Sequence, residues 1–180
     1  MRHEVPFISQ YQGITDPAWQ WRGCGITALK MVMDFWHAGD SGNRTTDMET
    51  LFREGTRSGA YREGVGWSHA GLVALARAFG YEAYNRDWAP KGPTPKEPGA
   101  AFTELIRELE SGPVLVSVFS GLNPARGGGH IVVMTGTESG LVYFSDPEQL
   151  NEREGVRVLA AEAFAQAFKA RYVVVRPAQR

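Results

Sequence analysis

The chain has 180 residues, of which 43% are hydrophobic and 22% charged, and its formal net charge is −1. That size and composition fit one globular domain able to bury roughly 70% of the surface its unfolded form exposes. The near-neutral charge excludes the basic footprint of a nucleic-acid or anionic-membrane partner, and the single cysteine excludes an internal disulfide, so no oxidising compartment is implied.

The first residues, MRHEVPFISQ, hold no uninterrupted apolar segment of signal-peptide length and read as a mobile terminus carrying His3. No later stretch approaches the ~18 uncharged apolar residues of a membrane span, so the expected location is the cytoplasm. No internal repeat is present. A helix is expected from Cys24 to about His37; Ile26, Ala28, Leu29, Met31, Val32, Met33, Phe35 and Trp36 make it apolar on nearly every face, the pattern of a buried helix. A second helix is expected over Asp47 to Arg57 behind a TTD cap. A third runs through GWSHAGLVALARAFG, with Ser68 as cap and Gly80 as terminator. Residues 87–100 hold four of the ten prolines and read as a loop between two halves, placed as a flap would be. A fourth helix, AFTELIRELE, ends at Gly112. Strands follow at PVLVSVF, HIVVMTGT, GLVYFSD and GVRVLA, then a helix AEAFAQAFKA and a last strand RYVVVRP. The expectation is a single α+β domain over 1–180, with a helical half over about 1–80 and a mostly antiparallel sheet half over about 101–180.

The chemistry centres on the lone thiol. Cys24 stands between Gly23 and Gly25 at the start of the buried helix. The positive helix terminus and a neighbouring imidazolium are the two influences that turn a thiol into a nucleophilic thiolate. The flanking glycines are expected to let a substrate backbone approach the sulfur, and the Cys24 N–H is placed to receive a developing oxyanion. The competing reading is a small buried hydrophobe, the usual fate of a free cysteine. Among four histidines, His37 lies ~20 Å along the same helix from Cys24, and His69 sits in the first turn of another helix, where only the tertiary fold can bring it near. His130, behind GGG and opening a strand, is fixed on a rigid element and has an ordinary pKa suited to a base. Asp146 closes the following hairpin, 16 residues on, where it can be a cross-strand neighbour of His130 and orient the ring. Alone, the SDP segment would be an ordinary turn opener. Trp19, Trp21, Trp67 and Trp88 fall near the same segments and read chiefly as packing, with a lesser claim as subsite walls.

The order Cys, His, Asp, together with VPFISQ, GCGITALKMVMDFW, GWSHAGLVALARAFG, LESGPVLVSV, GGGHIVVMTG and VYFSDP, resembles the papain-like cysteine peptidases. The likeness is to the compact bacterial branch related to bacteriocin-leader, or double-glycine, peptidases. It implies a papain-like fold, a peptide or protein substrate, no metal or organic cofactor, Cys24 as nucleophile, His130 as base and acid, and Asp146 as orienter. It also implies an upstream glutamine whose amide completes the oxyanion hole. Gln10 in VPFISQ matches best; Gln12 and Gln20, the latter only four residues before Cys24, stay open. The expected reaction is hydrolysis of a peptide bond through a thioester. Transfer of the acyl group to an amine, and a catalytically silent peptide-binding module, are the alternatives. A serine hydrolase lacks its GxSxG elbow, and no HExxH or phosphate loop is present.

Overall fold

In the computed structural model the described residues are 1–38, 46–88 and 98–178. Short helices α1 (Gln10–Gly13) and α2 (Pro17–Gln20) lead into α3 (Cys24–His37) and α4 (Met48–Arg57). A hairpin of two-residue strands, β1 (Tyr61–Arg62) and β2 (Gly66–Trp67), precedes α5 (His69–Ala78), β3 (Tyr81–Asp87) and α6 (Pro98–Glu110). Then come β4 (Val114–Val118), β5 (His130–Glu138), β6 (Leu141–Ser145), α7 (Glu152–Gly155), β7 (Val156–Ala160), α8 (Ala161–Ala167) and β8 (Phe168–Pro177). The main sheet has the order β3-β8-β4-β5-β6-β7, and every neighbouring pair in it is antiparallel.

The helix bounds follow local chemistry. The Asp47 side chain accepts from Thr50 N–H at 2.7 Å and starts α4, and Ser68 accepts from Gly71 N–H at 3.1 Å and starts α5. The apolar strands are explained by what covers them. On one face Leu115, Ile131, Val133, Val173 and Val175 pack with α3, α4 and α5. On the other, Val114, Val116, Val118, Val132, Met134 and Val174 pack with Leu105 and Leu109 of α6 and Phe164 of α8. Alternate residues of each central strand therefore enter two separate cores, so the strands read as continuous apolar runs rather than alternating ones.

Three expectations are corrected. Residues 81–87, between the helical half and the proline-rich loop and given no element from the sequence, form a strand: β3 lies at the sheet edge against β8, and its mixed burial leaves no clear apolar alternation. The helix expected over 161–170 stops at Ala167, and β8 takes over from Phe168. The N-terminus is not loose. Beyond Val114↔Met134, the last register pair of β4 and β5, the edge of β5 is filled by the first residues of the chain. Met1 donates to Thr137 O at 2.8 Å, His3 N–H to Thr135 O at 2.7 Å, and Arg2 bridges Gly136. The His3 ring reaches the Leu109 carbonyl at 2.7 Å and stands edge-on to Phe35. Most of the proline-rich connection read at 87–100 lies outside the described residues. Among the described residues, no helix is long and apolar enough to cross a membrane.

The second core makes a direct prediction. Leu105→Ala, at a fully buried position of α6, should lower the unfolding free energy by about 2–5 kcal/mol, as a core Leu deletion does. Urea unfolding reads it, and a loss well under 1 kcal/mol would contradict a packed second layer.

Candidate active site

Helix α3 begins at Cys24 because Gly23 sits at its cap with no side chain bonding the first turn, and the first closing bond runs from Thr27 N–H to Gly23 O at 3.0 Å. The leading N–H groups are left for another acceptor, and the positive end of the helix lies under the half-buried sulfur. Both flanking glycines are buried, and each is closely packed by protein side chains. A Cβ on Gly25 would stand 2.6 Å from Cβ of Trp67, and one on Gly23 would stand 2.3 Å from Cδ1 of Ile14 and 3.2 Å from Cβ of Gln10. They are glycine so that Trp67, Ile14 and Gln10 can close around the helix start.

His130 is the first residue of β5 and pairs with Val118 of β4. It is 6% exposed, and its Nε2 lies 2.7 Å from Oδ1 of Asp146. The register sets Ser145 opposite Val133, so Asp146, one residue on, takes the position diagonal to His130 rather than the one facing it. The Asp146 carboxylate is held from several sides. Glu148 N–H donates to Oδ1 at 3.1 Å, and Arg157 Nη1 and Gln149 Nε2 donate to Oδ2 at 2.9 and 3.4 Å. With Nε2 engaged by Asp146, Nδ1 is the ring nitrogen left for Cys24.

The electrostatics follow from burial against partners. Burial alone would depress the pKa of His130, but the hydrogen bonds to Asp146 and Cys24 and the negative charges of both outweigh it and lift it to about 10. Burial alone would raise that of Asp146, but the His130 hydrogen bond and charge, the Glu148 N–H and Arg157 bring it down to about 2. The two side chains are thus held as imidazolium and carboxylate.

Gln10 is 1% exposed, at the start of α1. Its backbone N–H donates to Pro147 O at 2.9 Å, which fastens it to the turn that carries Asp146. Its Oε1 is buried without a hydrogen-bond partner among the described residues. Gln20 has its amide engaged by Ile14 O at 2.9 Å, and Gln12 is exposed. The structure therefore sets Gln10 between the start of α3 and the Asp146–Pro147 turn, while the Gln20 amide is engaged elsewhere and Gln12 is exposed.

Three residues near the site, Arg157, Tyr11 and Ser117, escaped the sequence reading, and His69, which the sequence could place there only through the tertiary fold, joins them. Arg157 comes from β7 and braces Asp146. Tyr11 has its pKa raised by burial and then by the charge of Glu148, with smaller effects from Asp146 and Cys24. His69 and Ser117 bond each other at 2.7 Å and line the same cleft as Cys24 and His130. Of those three, Ser117 alone left a trace in the sequence, as a hydroxyl inside an otherwise apolar strand. The cleft encloses about 890 Å³. Trp67 and the exposed Trp21 line it, whereas Trp19 packs behind against Phe52 and Tyr61, and Trp88 packs on the second core. His130, Asp146 and Glu148 form the one set of potential metal ligands among the described residues, with donor atoms within 4.8 Å of one another. The donors of His130 and Asp146 are already engaged by each other and by Arg157, which suits an ion pair better than a bound cation.

Comparison with known proteins gives a consistent picture. Residues 2–175 match the model of the Peptidase_C39 like family. A double-glycine-motif protease from an AMS/PCAT transporter, solved with its leader peptide, superposes with a TM-score of 0.64 at 19% identity, over 98% of this chain and 94% of that one. The peptidase domain of Streptococcus ComA, a bi-functional ABC transporter of a quorum-sensing pathway, gives 0.63 at 17% identity, over 97% and 100%. A Bacillus anthracis protein described as C39-like gives 0.66 at 19% identity, over 99% and 97%. At these identities the likeness is one of fold, and that fold is papain-like. No curated protein matches the chain in sequence.

The ion pair sets a pH window for stability. Asp146 has a folded pKa below its usual 3.8, so its contribution is present above about pH 4 and is lost as the pH falls toward 2. His130 has a folded pKa above its usual 6.5, so its contribution is full below that value and is lost as the pH rises toward 10. Thermal melts should plateau between about pH 4 and 6.5, and His130→Gln should flatten the decline on the alkaline side. A wild-type Tm that climbs from pH 6.5 to 9 would contradict the pairing.

Proposed function

Since the chain belongs to the Peptidase_C39 like family and is a cysteine-type peptidase, we propose that it hydrolyses a peptide bond through a triad of Cys24, His130 and Asp146. The observation that carries this reading is that Cys24, at the start of a buried helix, and His130, whose ring is bonded to the Asp146 carboxylate, line one cleft.

The sulfur, as thiolate, attacks the carbonyl carbon of a peptide lying in the cleft, and the carbonyl electrons move onto oxygen. The Cys24 N–H and the Gln10 side-chain amide receive that oxyanion. As the tetrahedral adduct collapses, the C–N bond breaks and His130 gives its Nδ1 proton to the leaving amine, which leaves a thioester on Cys24. Water then attacks the thioester. His130 takes a proton from it, and the acid departs as the thiolate reforms. Asp146 keeps the imidazole in one orientation throughout and stabilises its cationic form, as carboxylates do in such triads. Support for a peptide as substrate comes from a structural neighbour solved with its leader peptide. Neither transfer to an amine nor silent binding has an observation of its own in its favour.

A thiol-reactive peptide electrophile should label Cys24 in the native protein far faster than in the denatured one, and Cys24→Ala should abolish turnover of a fluorogenic peptide library. Gln10→Ala should lower kcat by about 10²–10³, the usual cost of one oxyanion donor, whereas Gln12→Ala and Gln20→Ala should leave it within about threefold, well under one decade. Labelling no faster than in the denatured control, or equal losses from all three glutamine variants, would overturn this assignment.

A further inference from the structure

The cleft is uneven in charge. Arg22 is matched by Glu63 at 3.2 Å, and Arg171 by Asp87 at 3.0 Å. Lys169 lines the same cleft, and among the described residues no carboxylate lies within ion-pair distance of it. Its ammonium donates to Gly128 O, sits 5.0 Å from the centroid of the Phe119 ring, and lies beside Gly129, the residue before His130. The backbone there is irregular. Between Val116↔Tyr172 and Val118↔Phe168, Ser117 of β4 alone faces the three residues Lys169, Ala170 and Arg171 of β8. Ala170 is held at φ 53°, a left-handed conformation that is strained for a non-glycine residue and concentrates at functional sites. Bulges next to active sites serve to aim side chains, and this one presents Lys169 and Arg171 to the cleft. Burial and then Arg171 push the pKa of Lys169 down, and the same two causes in the same order depress that of His69. Two cations and a neutral His69–Ser117 hydrogen-bonding pair thus share one wall, with one carboxylate, Asp87, to balance them.

We propose that Lys169 and Arg171, with the His69–Ser117 pair, form a subsite for a substrate carboxylate on the His130 side of the cleft. The inference rests on the peptidase reading of that cleft and adds a specificity to it: the peptide carries an acidic group, on a side chain or at its C-terminus, that completes the charge balance left open at Lys169. The Lys169 ammonium supplies the charge, Arg171 adds a second positive centre, and Ser117 and His69 supply neutral hydrogen-bonding groups to the same space.

The test uses acetylated, amidated hexapeptides in which one position, walked along the chain, carries Glu, Gln or Lys, and the same peptides with a free C-terminus. It reads kcat/KM for the wild type and Kd for Cys24→Ala, so that recognition is scored even without turnover. Glu should be favoured over Gln about 10-fold at one position, as a charge-matched contact allows. Lys169→Glu should invert that order, making the Lys peptide the better ligand, a gain that a misfolded variant would not show. A preference that follows the free terminus rather than the Glu side chain assigns the same subsite to a chain-end carboxylate. Equal kcat/KM and Kd for all peptides, or a Glu preference that survives Lys169→Glu, overturns the proposal. A Kd preference without any turnover sinks the peptidase reading and leaves the subsite standing.

Discussion

The turn at Asp146–Pro147 is the constraint on which the site depends. Its carboxylate receives His130 and Arg157, and its next carbonyl receives the backbone of Gln10. Three separate parts of the chain therefore converge on two consecutive residues. Burying such a charge is unfavourable unless its oxygens are fully engaged, and here each oxygen has at least two donors or a guanidinium. The proposed base and the proposed oxyanion donor are thus set by one anchor, while the sulfur comes from the other side on α3. The Gly23 contacts with Ile14 and Gln10 bring the two sides together.

The sheet explains where the cleft can be. Leu115, Val133, Val173 and Ala83 lie under the helices of the first core. Two residues along each strand, Ser117, Ile131, Arg171 and Asn85 form the wall of the cleft. Three of these four, Ser117, Arg171 and Asn85, are polar or charged, whereas Ile131 still belongs to the first core. Ser117 in a buried apolar strand therefore marks the boundary between core and cleft rather than a packing defect.

Much of this was legible in the sequence, for physical reasons. Helix α3 was visible because its apolar residues ring it completely, and the pairing of His130 with Asp146 because a hairpin of fixed length returns the chain on itself. Gln10 was favoured by motif alone; the link to Pro147 that holds it has no local signature. Strand β3 was missed because an edge strand with half-buried residues carries weak periodicity and its partner β8 lies far along the chain. Arg157, Tyr11 and His69 reach the site only through tertiary contacts, which no spacing rule encodes. The glycines around Cys24 stood out in the sequence, but the packing that requires them, Trp67 against Gly25 and Ile14 and Gln10 against Gly23, has no local signature.

That last contact has a consequence for how such a protein is tuned. Cδ1 of Ile131 lies 3.2 Å from the place a Gly25 Cβ would occupy, and Trp67, whose indole N–H donates to Arg22 O at 2.8 Å, fills the remaining side. One apolar side chain from the strand of the imidazole thus acts as the spacer that sets how far the thiol stands from it. The volume at 131, a nearly buried position where the first core meets the cleft wall, becomes a dial on reactivity. Drift in the core at that point would change the chemistry while leaving every cleft-lining polar group in place.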